Sequence, residues 1–191
     1  MFPLNLPNAL TLIRILLVPV LVVALTVETP GGSTIAAIVF AIAALTDGLD
    51  GYIARTRQSV TTFGKVMDPV ADKLMIAAAL IPLVSLDRLE PWVAMVIIAR
   101  EFAVSGLRIA AGQQGVVIPA SSLGRVKTVV QVVAVLALIA APQHEAVWVQ
   151  ALVYAMVVAT VVSGADYFLG FRRRLDEIAR GRAMRESSPT G

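Results

Sequence analysis

Asp47, Asp50, Asp68 and Asp72 stand within 26 residues, in the stretch TDGLDGYIARTRQSVTTFGKVMDPVADK, which is set inside strongly apolar sequence. Asp47 and Asp50 are three apart, and Asp68 and Asp72 four apart, so each pair falls on one face of its own helix. The polar run around Thr56–Thr62 joins the two segments as an antiparallel hairpin, which can bring the pairs face to face. An Asp at the centre of a membrane helix costs roughly 2.5–3.5 kcal/mol, and four without partners would cost on the order of 10 kcal/mol before any mutual repulsion. Such a group calls for bound cations or for a wet cavity. Carboxylates with no Cys in the chain and no His nearby select a hard ion, Mg²⁺ or Mn²⁺, over zinc. Four of them suit two divalent ions, and paired metal sites serve phosphoryl chemistry. The alternative is a salt-bridge network in which Arg55, Lys65 and Lys73 neutralise the acids.

The residues between the acids are compatible with a bound ligand. Gly51 and Ala54 continue the Asp47/Asp50 face with almost no side chain, and Gly64 precedes the second pair. Small residues here either let helices pack closely or clear space beside a metal. Arg55 ends its segment, where it can hold a phosphate or complement the helix dipole. Pro69, between Asp68 and Asp72, either opens its helix or kinks it.

These residues must be positioned by a chain of 191 residues that is 58% hydrophobic and 15% charged, with a mean hydropathy of +0.82. A soluble domain of that length is about a quarter charged. The composition therefore describes a multi-span membrane protein. Six apolar segments approach the roughly 20 residues that a spanning helix needs: Ala9–Val27, Ser33–Arg55, Val66–Leu86, Pro91–Ala111, Ser122–Ala141 and Ala146–Gly170. Arg14 falls inside the first run and no basic residue precedes it, which argues against a signal peptide. The connections are short, and no internal repeat is present. With no cysteine, disulfides, zinc–thiolate sites and cysteine nucleophiles are excluded. His144, in the polar stretch PQHEA, reads as a loop residue.

Lys and Arg mark the cytoplasmic side. Loops one, three and five hold only Arg88 beside Glu28, Asp87, Glu90 and Glu145, while the other ends carry Arg55, Arg57, Lys65, Arg108, Arg125, Lys127 and Arg172–Arg174. Both termini and the aspartates should then face the cytoplasm. The net charge of +3 follows this topology and does not call for nucleic acid. The chain reads as all-α: a polytopic membrane domain of six transmembrane helices with a cytoplasm-facing polar cavity, residues 1–171, then a basic cytoplasmic tail, residues 172–191. The tail holds six arginines against three acids. It can bind anionic headgroups or act as a solvated stop-transfer segment.

Asp47-x-x-Asp50-Gly51-x-x-Ala54-Arg55, eight residues, then Gly64-x-x-x-Asp68-x-x-x-Asp72 resembles the signature of the CDP-alcohol phosphotransferase family at all eight defined positions. The stretches NLPNALTLIR, MDPVADK, IIAREFAVSGLR and LGRVKTVVQ are similar to the branch of the family that joins CDP-diacylglycerol to glycerol 3-phosphate. Arg125 stands where that pattern more usually has Lys. The resemblance implies an integral enzyme of the inner or plasma membrane, a homodimer, that transfers a phosphatidyl group to an alcohol and releases CMP. It implies that Asp47, Asp50, Asp68 and Asp72 ligate two ions, Mg²⁺ or Mn²⁺, with Asp72 also the general base. Gly51, Ala54, Arg55 and Gly64 would line the cytidine diphosphate, with Asn8 and Thr11 near its base.

Glycerol 3-phosphate, a dianion, needs a cationic pocket. Glu101, Ser105 and Arg108 share a face of the fourth segment, with Arg100 beside them and Arg125 and Lys127 entering the fifth. Positive-inside anchoring explains Arg125. It explains Arg100 poorly, because Arg100 lies mid-run and needs a partner, a role that falls to Glu101. Two rival readings are an enzyme of this family with another acceptor (inositol phosphate, serine, or phosphatidylglycerol for cardiolipin) and a cation transporter with an intramembrane acidic site. A transporter has no need of the Gly/Ala/Arg spacing between the acids.

Overall fold

The computed structural model describes residues 6–27, 31–57, 62–113 and 122–186. These form six helices: α1 (Leu6–Thr26), α2 (Gly32–Arg57), α3 (Thr62–Ser85), α4 (Pro91–Gln113), α5 (Ser122–Ala140) and α6 (Val147–Glu186). Each coincides with one of the six apolar segments, with ends shifted by a few residues, except the last. That helix does not stop at Gly170 but runs 40 residues in all, through the arginine-rich stretch to Glu186. Up to that point the tail is thus a continuation of the sixth helix. Arg172 and Asp176, like Arg173 and Glu177, are four apart, a spacing that supports a helix in water.

The helix ends have local causes. Pro91 occupies the first turn of α4, where its missing N–H costs nothing, and the Glu90 carbonyl accepts from Val93 and Ala94. α3 closes with Arg88 N–H donating to Leu83 O and Asp87 N–H to Val84 O, and Asp87 takes the left-handed conformation (φ 54°). This is the C-terminal capping pattern that usually places glycine at that position. The Arg88 guanidinium then donates to Ile139 O, 3.2 Å away, in the last turn of α5, where a cation complements the helix dipole. Pro69 lies inside α3, so it does not open the helix.

Packing follows a closed ring in the order α1, α2, α5, α6, α4, α3 and back to α1. α1 packs along both α2 and α3, while α2 and α3 touch each other at few of the described residues. The aspartate-bearing helices therefore share α1 as a common neighbour. The polar run expected to join them as a hairpin falls largely on residues 58–61, outside the described residues.

The distribution of side chains is that of a protein seated in lipid. Large apolar groups cover the outside, among them Leu16, Met95, Phe102, Ile109 and Val129, while Thr11, Arg14, Lys127, Gln131, Thr160 and Ser163 are buried within the bundle. A water-soluble protein sorts its residues the other way. Among the described residues, three helices are long and apolar enough to cross a membrane: Ala9–Thr26, Ser122–Ala140 and Val147–Leu175. α2 has a shorter apolar stretch, Gly32–Thr46. α3 and α4 carry charges inside their length, Asp72 and Lys73 on one, Arg100, Glu101 and Arg108 on the other. The charges that keep these helices from being plain spans are the ones with chemical potential.

Candidate active site

The backbone sets Asp47 and Asp50 on α2 and Asp68 and Asp72 on α3. The side chains of Asp47, Asp50, Gly51, Ala54, Arg55, Gly64, Asp68 and Asn8 lie outside the described set. Asp72 is described, and its surroundings are specific. Arg14 of α1 donates from Nη1 to Asp72 Oδ1 at 2.5 Å, with the Arg14 side chain 2% and the Asp72 side chain 40% exposed. The pair thus runs from the bundle interior to its exposed surface. Thr11, one turn before Arg14, is also buried, so α1 turns two polar side chains inward, one of them onto Asp72.

Of the three cations proposed as neutralising partners, Arg55 and Lys65 have side chains outside the described set. Lys73 donates its ammonium to Pro69 O at 2.6 Å, a carbonyl of its own helix. The described counter-charge to Asp72 is therefore Arg14, a residue the sequence offered only as a charge within a span. A cation at that depth requires a partner, and that was the available signal.

A second polar cluster joins α4, α5 and α6. Lys127 donates to Glu101 Oε1, and Arg100 Nη1 donates to the same oxygen at 3.3 Å. Arg100 Nη2 reaches Ser163 Oγ at 3.1 Å, and Ser163 in turn donates to Thr160 O. Gly164 makes room for this arrangement, since a Cβ there would sit 3.2 Å from Arg100 Cγ. Glu101 is thus the partner of Arg100, as expected, and of Lys127 as well. The other two basic residues lie elsewhere. Arg108 is about two turns along α4 from Glu101, with its guanidinium over the Tyr167 ring at 5.7 Å. Arg125 is exposed; two residues from Lys127, it points to the opposite side of α5. The structure brings Arg100 and Lys127 together and leaves Arg108 and Arg125 outside their contact. Sequence patterning did not single out Ser163, Thr160, Gln131 or Tyr167. A polar residue in a membrane helix marks the interior, but it does not say which helix it faces.

The acid quartet fits a hard divalent ion by its donor chemistry. The donors are oxygens alone, paired at helical spacing on two helices, and the Asp72 side chain is only partly buried. Among the described residues no group of three His, Asp or Glu side chains forms a metal cluster, and three of the four aspartate side chains are not among them.

Six helices with a few buried polar side chains inside a mostly apolar bundle, and the spaced aspartates on the second and third, define a class. Residues 4–163 match the family model for CDP-alcohol phosphatidyltransferases, and the chain belongs to that family. It is 42% identical over 186 residues to the CDP-diacylglycerol–glycerol-3-phosphate 3-phosphatidyltransferase of Bacillus subtilis, covering 86% of this chain and 93% of that one. It is 42% identical over 168 residues to the probable phosphatidylglycerophosphate synthase of Mycobacterium tuberculosis, covering 85% and 79%. It is also 41% identical over 151 residues to the CMP-forming cardiolipin synthase of rice (Oryza sativa subsp. japonica), covering 72% of this chain and 46% of that one.

Proposed function

We propose that this protein transfers the phosphatidyl group of CDP-diacylglycerol to sn-glycerol 3-phosphate, giving phosphatidylglycerophosphate and CMP. The observation that carries the reading is the complete eight-position aspartate signature in a chain aligned over 86% of its length with an enzyme of that name. All six helices lie in the inner or plasma membrane, with both termini and the polar cavity on the cytoplasmic side, and the enzyme works as a homodimer. The basic residues at that end of the helices support this orientation.

Asp47, Asp50, Asp68 and Asp72 would hold two Mg²⁺ or Mn²⁺ ions, which supply charge to offset the negative charge that builds on the transferring phosphate. Asp72 takes the proton from the acceptor hydroxyl. That oxygen forms a bond to the lipid-side phosphorus, the bond from phosphorus to the CMP oxygen breaks, and CMP leaves. Arg14 orients the Asp72 carboxylate through its Nη1 donor. Gly51, Ala54, Arg55 and Gly64 line the cytidine diphosphate, with Asn8 and Thr11 toward its base. Arg100 and Lys127 hold the acceptor phosphate by charge-assisted hydrogen bonds. Arg108 and Arg125, outside that contact, add positive charge that draws the dianion in.

Purified protein supplied with CDP-diacylglycerol should release radiolabelled CMP with glycerol 3-phosphate as acceptor, and not with inositol phosphate or serine. The likeness to a cardiolipin synthase makes phosphatidylglycerol the second acceptor to assay. Faster CMP release with phosphatidylglycerol would transfer the assignment to cardiolipin synthesis. Orientation has its own check, because the chain has no cysteine of its own. A cysteine at Ser59 should be shielded from an impermeant thiol reagent in intact cells, and one at Gly32 should be labelled. The reverse pattern would place the aspartates outside.

A further inference from the structure

Arg100 Nη1 and Lys127 Nζ converge on one atom, Glu101 Oε1. Two donors from two helices meeting at a single anionic oxygen is the arrangement a phosphate oxygen would find. On the same helices and on α6, three more polar atoms are buried with no hydrogen-bond partner among the described residues: Arg100 Nε, Gln131 Nε2 and Thr160 Oγ1. Gln131 lies one turn from Lys127 on α5, and Thr160 one turn from Ser163 and Gly164 on α6. Gln131 is 1% and Thr160 0% exposed. Buried polar atoms are nearly always paired, so unused donors and a hydroxyl on three helices point to a polar ligand that supplies their partners.

We infer that the Glu101 carboxylate holds the place of the acceptor phosphate in the empty site and gives it up when the acceptor binds. The inference deepens the proposed function and rests on its assignment of Arg100 and Lys127. Two cations deep in a membrane bundle repel each other and need a counter-ion; Glu101 supplies it and leaves the trio with one net positive charge. A phosphomonoester dianion that displaces Glu101 meets two cations with two negative charges. A phosphodiester has a single negative charge and gains nothing over the carboxylate it would replace. Glu101 therefore selects phosphomonoester acceptors. Its side chain is 17% exposed, which leaves it a route toward the aqueous cavity when displaced.

The test compares wild type with Glu101→Gln, both full-length in nanodiscs, using thermal unfolding followed by fluorescence of Trp92 and Trp148. Potassium phosphate at pH 8 is set against potassium chloride of equal ionic strength. Glu101→Gln should unfold at a lower temperature in chloride and be raised by phosphate clearly more than wild type, because a ligand that binds only the folded protein stabilises in proportion to its affinity. Its KM for glycerol 3-phosphate should fall at least about tenfold, since a like charge no longer opposes the phosphate, while the KM for CDP-diacylglycerol stays within about twofold. An equal phosphate response in both proteins, or a higher KM for glycerol 3-phosphate in the variant, would overturn the role of Glu101 and leave the acceptor site standing. Absence of a phosphate response in both would overturn the acceptor site itself. If Glu101→Gln does not accumulate, Glu101→Asp serves instead. One methylene shorter, it should lose contact with Lys127 and show an intermediate gain in phosphate response; a response no greater than wild type would count against the inference.

Discussion

Replacing Asp72 with Asn should lower turnover by at least about 10³-fold, because in the proposed mechanism it removes both a general base, worth about 10²–10⁴, and a metal ligand. On the proposed mechanism, in which these carboxylates are ligands rather than packing, Asp47→Asn, Asp50→Asn and Asp68→Asn should be comparably inactive while the protein still inserts. Asp72→Asn differs from them in one respect. It removes the charge that faces the buried Arg14 guanidinium, so it should also lower stability, by about 1–3 kcal/mol given that Asp72 is partly in solvent. Asp72→Glu keeps the charge but moves the carboxylate by one methylene; it should recover the stability and not the turnover. EDTA should stop the wild-type reaction, and Mg²⁺ or Mn²⁺, but not Zn²⁺, should restore it. Near-normal turnover in two of the four Asn variants with Mg²⁺ present would refute the two-metal reading.

The second large effect concerns the acceptor. Lys127→Met keeps most of the side-chain volume and removes a charge-assisted contact, worth about 1.5–3 kcal/mol. Catalytic efficiency for glycerol 3-phosphate should therefore fall about 10- to 100-fold, with the KM for CDP-diacylglycerol nearly unchanged. Arg100→Met should behave alike, because Arg100 shares the same carboxylate oxygen as Lys127. Arg108→Ala should do less, since its guanidinium lies over Tyr167 and outside that contact. Equal losses for donor and acceptor would indicate a collapsed cavity instead of a lost phosphate contact. If only expression or orientation suffers, the basic residues are topological anchors and the acceptor pocket lies elsewhere.

Six helices, and the places where most of them begin and end, were readable from the chain because long apolar runs broken by Pro, Gly and short charged turns leave few alternatives in lipid. The class of chemistry was equally readable. It rests on the identity and spacing of Asp47, Asp50, Asp68 and Asp72, and a spacing of three or four within one helix fixes a shared face without reference to anything else. Where helix six ends was not readable by the same means. An apolar-run criterion stops at Gly170, whereas the helix is carried on to Glu186 by residues that favour helix in water.

What the chain alone could not decide is which helices stand next to one another. Hydropathy marks a span and leaves its rotation and its neighbours open, because every lipid-facing surface is equally apolar. Only the ring order of the bundle sets Arg14 of α1 against Asp72 of α3, two residues 58 positions apart. Only that order turns Lys127 and Arg100 toward the same oxygen of Glu101 and leaves Arg125, an equally plausible cation by sequence, on the exposed side of α5. Charge and spacing along a helix are local properties and can be read residue by residue. The pairing of a buried charge is a property of two helices at once, settled by how the whole bundle packs to give each such charge its partner.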